Sequence, residues 1–216
     1  MRKGFIFDLD GVITDTAKYH YIAWKELAAT LGITIDPLFN EQLKGISRMD
    51  SLDRILAHGG KSQSLSQVEK EQLAEKKNEQ YVELLASLSP ADLLPGVKEF
   101  LKQAKDRQIP CAIASASKNA PVILEKLGVI DHFRHIVDPD TLAKGKPDPE
   151  IFLKAAEALG ITPEEAVGFE DAQAGIQAIK AAGMYAVGVI ETEELPGADQ
   201  LVRRLDELVI DQLLDA

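Results

Sequence analysis

Phe5-Ile6-Phe7-Asp8-Leu9-Asp10-Gly11 is the stretch on which the reading of this chain turns. An apolar run of this kind suits a strand buried on both faces, and such strands belong to parallel sheets covered by helices. Two carboxylates and a glycine follow where the strand should open into a loop, and in α/β proteins chemistry gathers at strand carboxyl ends. One carboxylate there can attack a phosphorus atom while its neighbour moves a proton, and a metal ion can mask the charge of both. Asp and Gly are also ordinary turn residues, so the motif acquires its meaning from the rest of the sequence.

Past Asp10 the pattern leaves strand period. A helix is predicted over residues 16–31, with Tyr19, Ala23 and Leu27 on one stripe and Gly32 as its stop. A second begins at Ser47, where Ser47-Arg48-Met49-Asp50 has the form of a capping box. A third is predicted over 66–88, amphipathic in its later half and ended by Ser89-Pro90. From Leu93 onward short apolar strands alternate with helices: helix 96–107, strand 110–114, helix 121–127, strand 135–137, helix 149–159, strand 166–169, helix 172–182 and strand 185–189. That rhythm implies a parallel sheet, and the strand at Phe5 must find its partners far along the chain. The economical architecture is α/β: a doubly wound, mostly parallel sheet built from residues 1–14 and 93–216, interrupted after its first strand by an all-helical block, 15–92. The tail after residue 191 carries the weakest pattern.

The chain has 216 residues, of which 45% are hydrophobic, enough for one large core with an inserted subdomain. A formal charge of -11 argues against broad binding to nucleic acid or to an anionic membrane, so an anionic substrate needs local lysines. The one cysteine, Cys111, excludes an internal disulfide and reads as a buried thiol in a reducing compartment. Neither a charged leader with an apolar run nor a bilayer-spanning segment is seen, so a cytoplasmic protein is expected. Nothing demands a partner surface, and a monomer is expected.

Three further loops carry polar groups. The strand ending at Ala114 passes into Ser115-Ala116-Ser117-Lys118-Asn119, whose amides, hydroxyls and ammonium suit an anion, or equally an N-cap with a solvated lysine. Lys144-Gly145-Lys146-Pro147-Asp148-Pro149 follows the next strand, its prolines restricting the backbone around Lys146. Gly168-Phe169-Glu170-Asp171 comes off another strand, and its acids could ligate magnesium or cap the following helix. The alternating pattern sends all four loops to one edge of the sheet.

In the helical block, Thr16, His20 and Trp24 stand at i, i+4 and i+8 and share a face suited to a polar ring, though a core tryptophan with a satisfied histidine fits as well. Leu43-Lys44-Gly45-Ile46-Ser47-Arg48 sets two cations around a glycine turn and a helix N-terminus. Lys77 lies on the stripe of Leu73, Tyr81 and Leu84, where it can snorkel to water or point into a cleft.

Together these motifs resemble the haloacid dehalogenase superfamily of phosphotransferases, over the whole length and in the same order. The resemblance implies a Rossmann-like core with a helical cap. It makes Asp8 the nucleophile that becomes an aspartyl phosphate, and Asp10 the general acid and base. It gives Ser115 and Lys146 the phosphoryl oxygens, and gives magnesium to Asp8, the Asp10 carbonyl, Glu170 and Asp171. The cap details are similar to a branch that interconverts hexose phosphates through a bisphosphate. In that branch Thr16, His20, Trp24, Lys44, Gly45, Ile46, Ser47, Arg48 and Lys77 would meet the sugar phosphate, with Ala116 beside Ser115. Arg48, Ser117, Lys118 and Asn119 would take the distal phosphate, and the cap would act as a lid. A magnesium-dependent sugar-phosphate phosphatase is the alternative, because the same loops serve hydrolysis. A noncatalytic phosphosugar-binding protein stands further off.

Overall fold

The computed structural model describes residues 1–190 and 194–215. Six strands form one sheet, in chain order β1 (Gly4–Phe7), β2 (Cys111–Ile113), β3 (His135–Ile136), β4 (Ala166–Glu170), β5 (Tyr185–Val189) and β6 (Gln200–Val202). The sheet order is β3-β2-β1-β4-β5-β6, and every pairing is parallel. β1 therefore lies in the middle, with Phe7 level with Ile113 on one side and Phe169 on the other. The connection order reverses between β1 and β4, which opens a crevice beyond their carboxyl ends.

The helices are α1 (Ala17–Thr30), α2 (Pro37–Glu41), α3 (Arg48–His58), α4 (Gln67–Leu84), α5 (Val97–Asp106), α6 (Ala120–Lys126), α7 (Glu150–Leu159), α8 (Gln173–Ala181) and α9 (Ile210–Asp215). By its contacts the chain divides into a unit of residues 1–15 with 88–216 and a unit of residues 16–87.

In the first unit, strand alternation splits β1 between two cores. Phe5 and Phe7 face Phe100 of α5 and Phe169 of β4, with the Phe7 and Phe169 rings stacked at 4.4 Å. Ile6 faces the opposite way, into a cluster with Phe152 of α7 and Ile176 of α8. Each fully buried side chain of this size contributes about 1.5–3 kcal/mol, which is why the sheet tolerates no polar residue on either face of β1. The strands that leave for and return from the helical unit are tied together: Thr14 bridges Leu93 in antiparallel fashion, and its hydroxyl donates to the Asp92 carbonyl at 2.8 Å.

The second unit packs α1, α3 and α4 around Trp24, Leu27, Leu52, Ile55 and Ala74. Ser47 caps α3 as expected, accepting the Asp50 amide at 3.1 Å. Ser66 and Glu69 complete a capping box on α4.

Several boundaries differ from the sequence reading. α4 stops at Leu84 and tightens into a 3-10 turn over Leu85–Ser87 instead of running on to residue 88. β4 extends through Glu170, so Gly168, Phe169 and Glu170 are strand rather than loop. α2, β6 and α9 were not expected. The first and last are too short for a helical period to register, and β6 is a three-residue strand at the sheet's edge. Residues 191–193, where the tail begins, lie outside the described residues.

Candidate active site

Asp8 is the first residue beyond β1. Its amide donates to the Phe169 carbonyl at 2.9 Å, which continues the ladder by one residue and fixes the carboxylate beside the end of β4. The chain then turns sharply, with the Ile13 and Thr14 amides both reaching the Leu9 carbonyl. Gly11 occupies this turn at φ +74°, and a Cβ built there would come within 2.1 Å of Asp171 Oδ2. Glycine is required here twice over, for the left-handed backbone and for the close approach of Asp171.

Glu170 is wholly buried. The Ala172 amide donates to its Oε1 at 3.2 Å, and Lys146 donates to its Oε2 at 2.8 Å. The same Lys146 ammonium donates to Asp8 Oδ1 at 2.8 Å. Oxygens of Asp8, Glu170 and Asp171 lie within 4.8 Å of one another. Hard carboxylate donors so close together suit a hard divalent cation, and like charges crowded this way call for positive charge beside them. Magnesium fits this donor set.

Burial pushes the Asp8 carboxyl up to about 7, and the neighbouring Glu170 and Asp10 charges act in the same direction against the lowering pull of Lys146. Burial alone would lower the Lys146 ammonium, but Asp8 and Glu170 outweigh it and raise the group, so it stays charged. Cys111 is a buried thiol pushed up to about 12 by burial, an unreactive core residue as its sequence context suggested.

Ser115 follows β2 and is 3% exposed. Its Oγ accepts the Ser117 amide at 3.1 Å, and Ser117 Oγ accepts the Asn119 amide at 3.3 Å. The hydroxyls thus shape a curled loop leading into α6, with Ala116 between them. Lys118 is exposed and pairs with Asp140.

Within the helical unit, Thr16, His20 and Trp24 do share one face, and Tyr81 and Lys77 of α4 cover it. Tyr81 donates its hydroxyl to Thr16 Oγ1 at 2.9 Å, and its ring stacks on His20 at 3.9 Å. Lys77, only 2% exposed, reaches His20 Nδ1 at 2.6 Å with the Trp24 and Tyr81 rings 4.7 and 4.8 Å from its ammonium. Lys77 does not snorkel to water: its Nζ lies inside the unit, against the faces of Trp24 and Tyr81.

Lys44 pairs with Glu41 at 2.7 Å, and Arg48 donates to Asn78 at 2.9 Å and approaches Glu75 at 3.4 Å. Gly45 turns the chain at φ 71°, Ile46 is buried, and Ser47 is spent partly on its cap. Sequence reasoning overlooked Gly175, Asn78 and Glu75, and it read Gly11 as a turn residue without its close approach to Asp171. A glycine inside a helix, as Gly175 is in α8, was the readable signal, because it weakens the helix unless space is needed.

The acids converge at the switch point of a parallel α/β sheet, and a haloacid dehalogenase-like hydrolase model matches residues 2–183. The chain belongs to the haloacid dehalogenase-like hydrolase family. It is 51% identical over 211 residues to the β-phosphoglucomutase of Bacillus subtilis strain 168, covering 98% of this chain and 93% of that one. The crystal structure of β-phosphoglucomutase from Clostridium difficile superposes with a TM-score of 0.96 at 48% identity, covering 100% of this chain and 96% of that chain. The fructose-1-phosphate phosphatase of Escherichia coli K12 is more distant, 34% identical over 86% of this chain and 95% of its own length.

Proposed function

We propose that this chain is a magnesium-dependent phosphomutase that interconverts β-glucose 1-phosphate and glucose 6-phosphate through β-glucose 1,6-bisphosphate. The observation that carries the choice of mutase over phosphatase is the 51% identity to a β-phosphoglucomutase along nearly the whole chain, against 34% to a sugar phosphatase.

In this reading an Asp8 oxygen attacks the phosphorus of the bisphosphate. The bond from phosphorus to the sugar oxygen breaks as the bond to Asp8 forms, and Asp10 gives its proton to the departing oxygen. Once glucose 6-phosphate has left, the 6-hydroxyl of a β-glucose 1-phosphate attacks the aspartyl phosphate, the bond from phosphorus to Asp8 breaks, the hydroxyl proton passes to Asp10, and the new bisphosphate turns round so that its 1-phosphate faces Asp8. Lys146, already within hydrogen-bond reach of Asp8, and Ser115 would hold the phosphoryl oxygens as charge shifts among them. Magnesium, held by Asp8, the Asp10 carbonyl, Glu170 and Asp171, would supply the charge neutralisation that lets phosphate meet these acids.

Substrate contacts are proposed for Ala116, Ser117, Lys118 and Asn119 in the first unit. In the second they are proposed for Thr16, His20, Trp24 and Lys77, together with residues 44–48. Lys118, Lys44 and Arg48 would exchange their present acidic partners for phosphate. A cytoplasmic setting belongs to the same proposal, supported by the buried Cys111 thiol and by phosphorylated sugar substrates.

The test supplies magnesium, β-glucose 1-phosphate and a trace of the bisphosphate, and follows glucose 6-phosphate and free phosphate together. Glucose 6-phosphate should accumulate with little free phosphate. Rapid release of phosphate without isomer would assign the chain to the phosphatases.

A further inference from the structure

Lys146 holds two carboxylates at once. Its Nζ lies 2.8 Å from Asp8 Oδ1 and 2.8 Å from Glu170 Oε2, and all three side chains are closed to solvent. Asp8 and Glu170 are also two of the three acids whose oxygens converge within 4.8 Å. The ammonium therefore sits on the groups that a divalent cation would use. With all three acids ionised, as metal binding requires, three carboxylates and one ammonium leave two negative charges, the amount a divalent cation neutralises.

We propose that Lys146 is the resident counter-ion of the metal-free pocket: it holds Asp8 and Glu170 together without metal, and its charge beside them weakens the pocket's grip on magnesium. The inference rests on reading the acids as a magnesium site, and it is distinct from a role for Lys146 in gripping phosphate. Buried carboxylates at this spacing repel strongly, and an unpaired one is costly. A fixed cation offsets that cost before metal arrives. The same fixed cation then opposes the metal's own charge, because low-dielectric surroundings screen the two poorly.

The main chain of Asp8 and the carboxylate of Glu170 are also anchored independently of the lysine. Asp8 is tied by its amide to Phe169, and Glu170 receives the Ala172 amide on its other oxygen. Removing the lysine thus removes charge more than geometry. The ammonium lies 5.1 Å from the ring centroid of Phe152, so a methionine in its place keeps a favourable aromatic contact.

The experiment is calorimetric titration of magnesium chloride into the full-length protein without substrate, comparing wild type with Lys146→Met at one pH and ionic strength. The variant should bind at least about fivefold more tightly. Its melting temperature should also rise more on adding magnesium, because its metal-free form has lost its counter-ion. Equal or weaker binding by the variant, with wild type binding normally, overturns the proposal. Wild type failing to bind magnesium at all overturns the metal-site reading instead. A variant that folds only with magnesium supports the proposal, since the metal then stands in for the missing charge. If Lys146→Met fails to fold even with magnesium, Lys146→Gln keeps a donor without the charge, and the same criterion applies.

Discussion

The carboxyl group of Glu170 occupies the space that a side chain at position 175 would fill: a Cβ built on Gly175 falls 2.0 Å from the Glu170 carboxyl carbon. The helix following β4 carries a glycine so that the acid can lie against its backbone. Gly175→Ala should therefore displace Glu170 rather than simply stiffen α8. The expected outcome is a loss of about 1–3 kcal/mol of stability in denaturant titration, with at least tenfold weaker magnesium binding. An alanine variant of wild-type metal affinity would show that Glu170 does not need its present position.

Gly11 stands in the same relation to Asp171, with the added demand of its positive φ. Gly11→Ala should cost about 1–3 kcal/mol from backbone strain, and it should move Asp171 away from the other two acids. Asparagine tolerates the left-handed region better than alanine but adds more bulk. Gly11→Asn should consequently recover part of the stability while leaving metal binding impaired, a separation readable by thermal melting beside calorimetry.

The pH dependence follows from Asp8. Its carboxyl is raised to about 7 in the folded, metal-free protein, by burial first and then by Glu170. The folded state thus retains a proton that the unfolded state has released, so this group's contribution falls as pH climbs from about 4 to about 7. Relative to Asp8→Asn, metal-free wild type should lose stability across that window. A difference that grows with pH would contradict the assignment. Magnesium competes with the same proton, so its affinity should strengthen up to about pH 7 and then level off.

Tyr81 offers a test confined to the helical unit. Its hydroxyl donates to Thr16 Oγ1, immediately before α1 begins. Tyr81→Phe should keep the ring stack on His20 and cost about 1 kcal/mol for the lost hydrogen bond, seen as a lower midpoint in urea with unchanged slope. A changed slope would mean that the unit had opened more widely.

The central strands were readable because they are apolar on both faces and their turns are marked by Gly, Pro and Asp. Phe5-Ile6-Phe7 cannot be satisfied by one covered face, and that alone demanded helices on both sides. The convergence of Asp8, Lys146, Glu170 and Asp171 followed from placing each after a parallel strand. Pairings were not readable. Nothing in the spacing told that Lys146 would bridge two acids, that Lys118 would lie on Asp140, or that Arg48 would lie between Asn78 and Glu75. Partner choice among charged side chains depends on distances of a few ångströms set by the whole fold. Lys77 illustrates the same point, since its helical stripe was visible but the aromatic box around its ammonium required the positions of Trp24 and Tyr81.

The central place of β1 has a consequence for how the protein is made. Residues 4–7 are made long before either strand that flanks them, and Lys146 follows Asp8 by 138 positions. At typical synthesis speeds the leading strand waits roughly ten to thirty seconds for its second neighbour. The intervening helical unit is a continuous stretch with its own core, able to condense while the leader remains unpaired. Nascent-chain quality control therefore meets Phe5-Ile6-Phe7 as a bare greasy edge, and the pocket of carboxylates cannot assemble until β4 has been made.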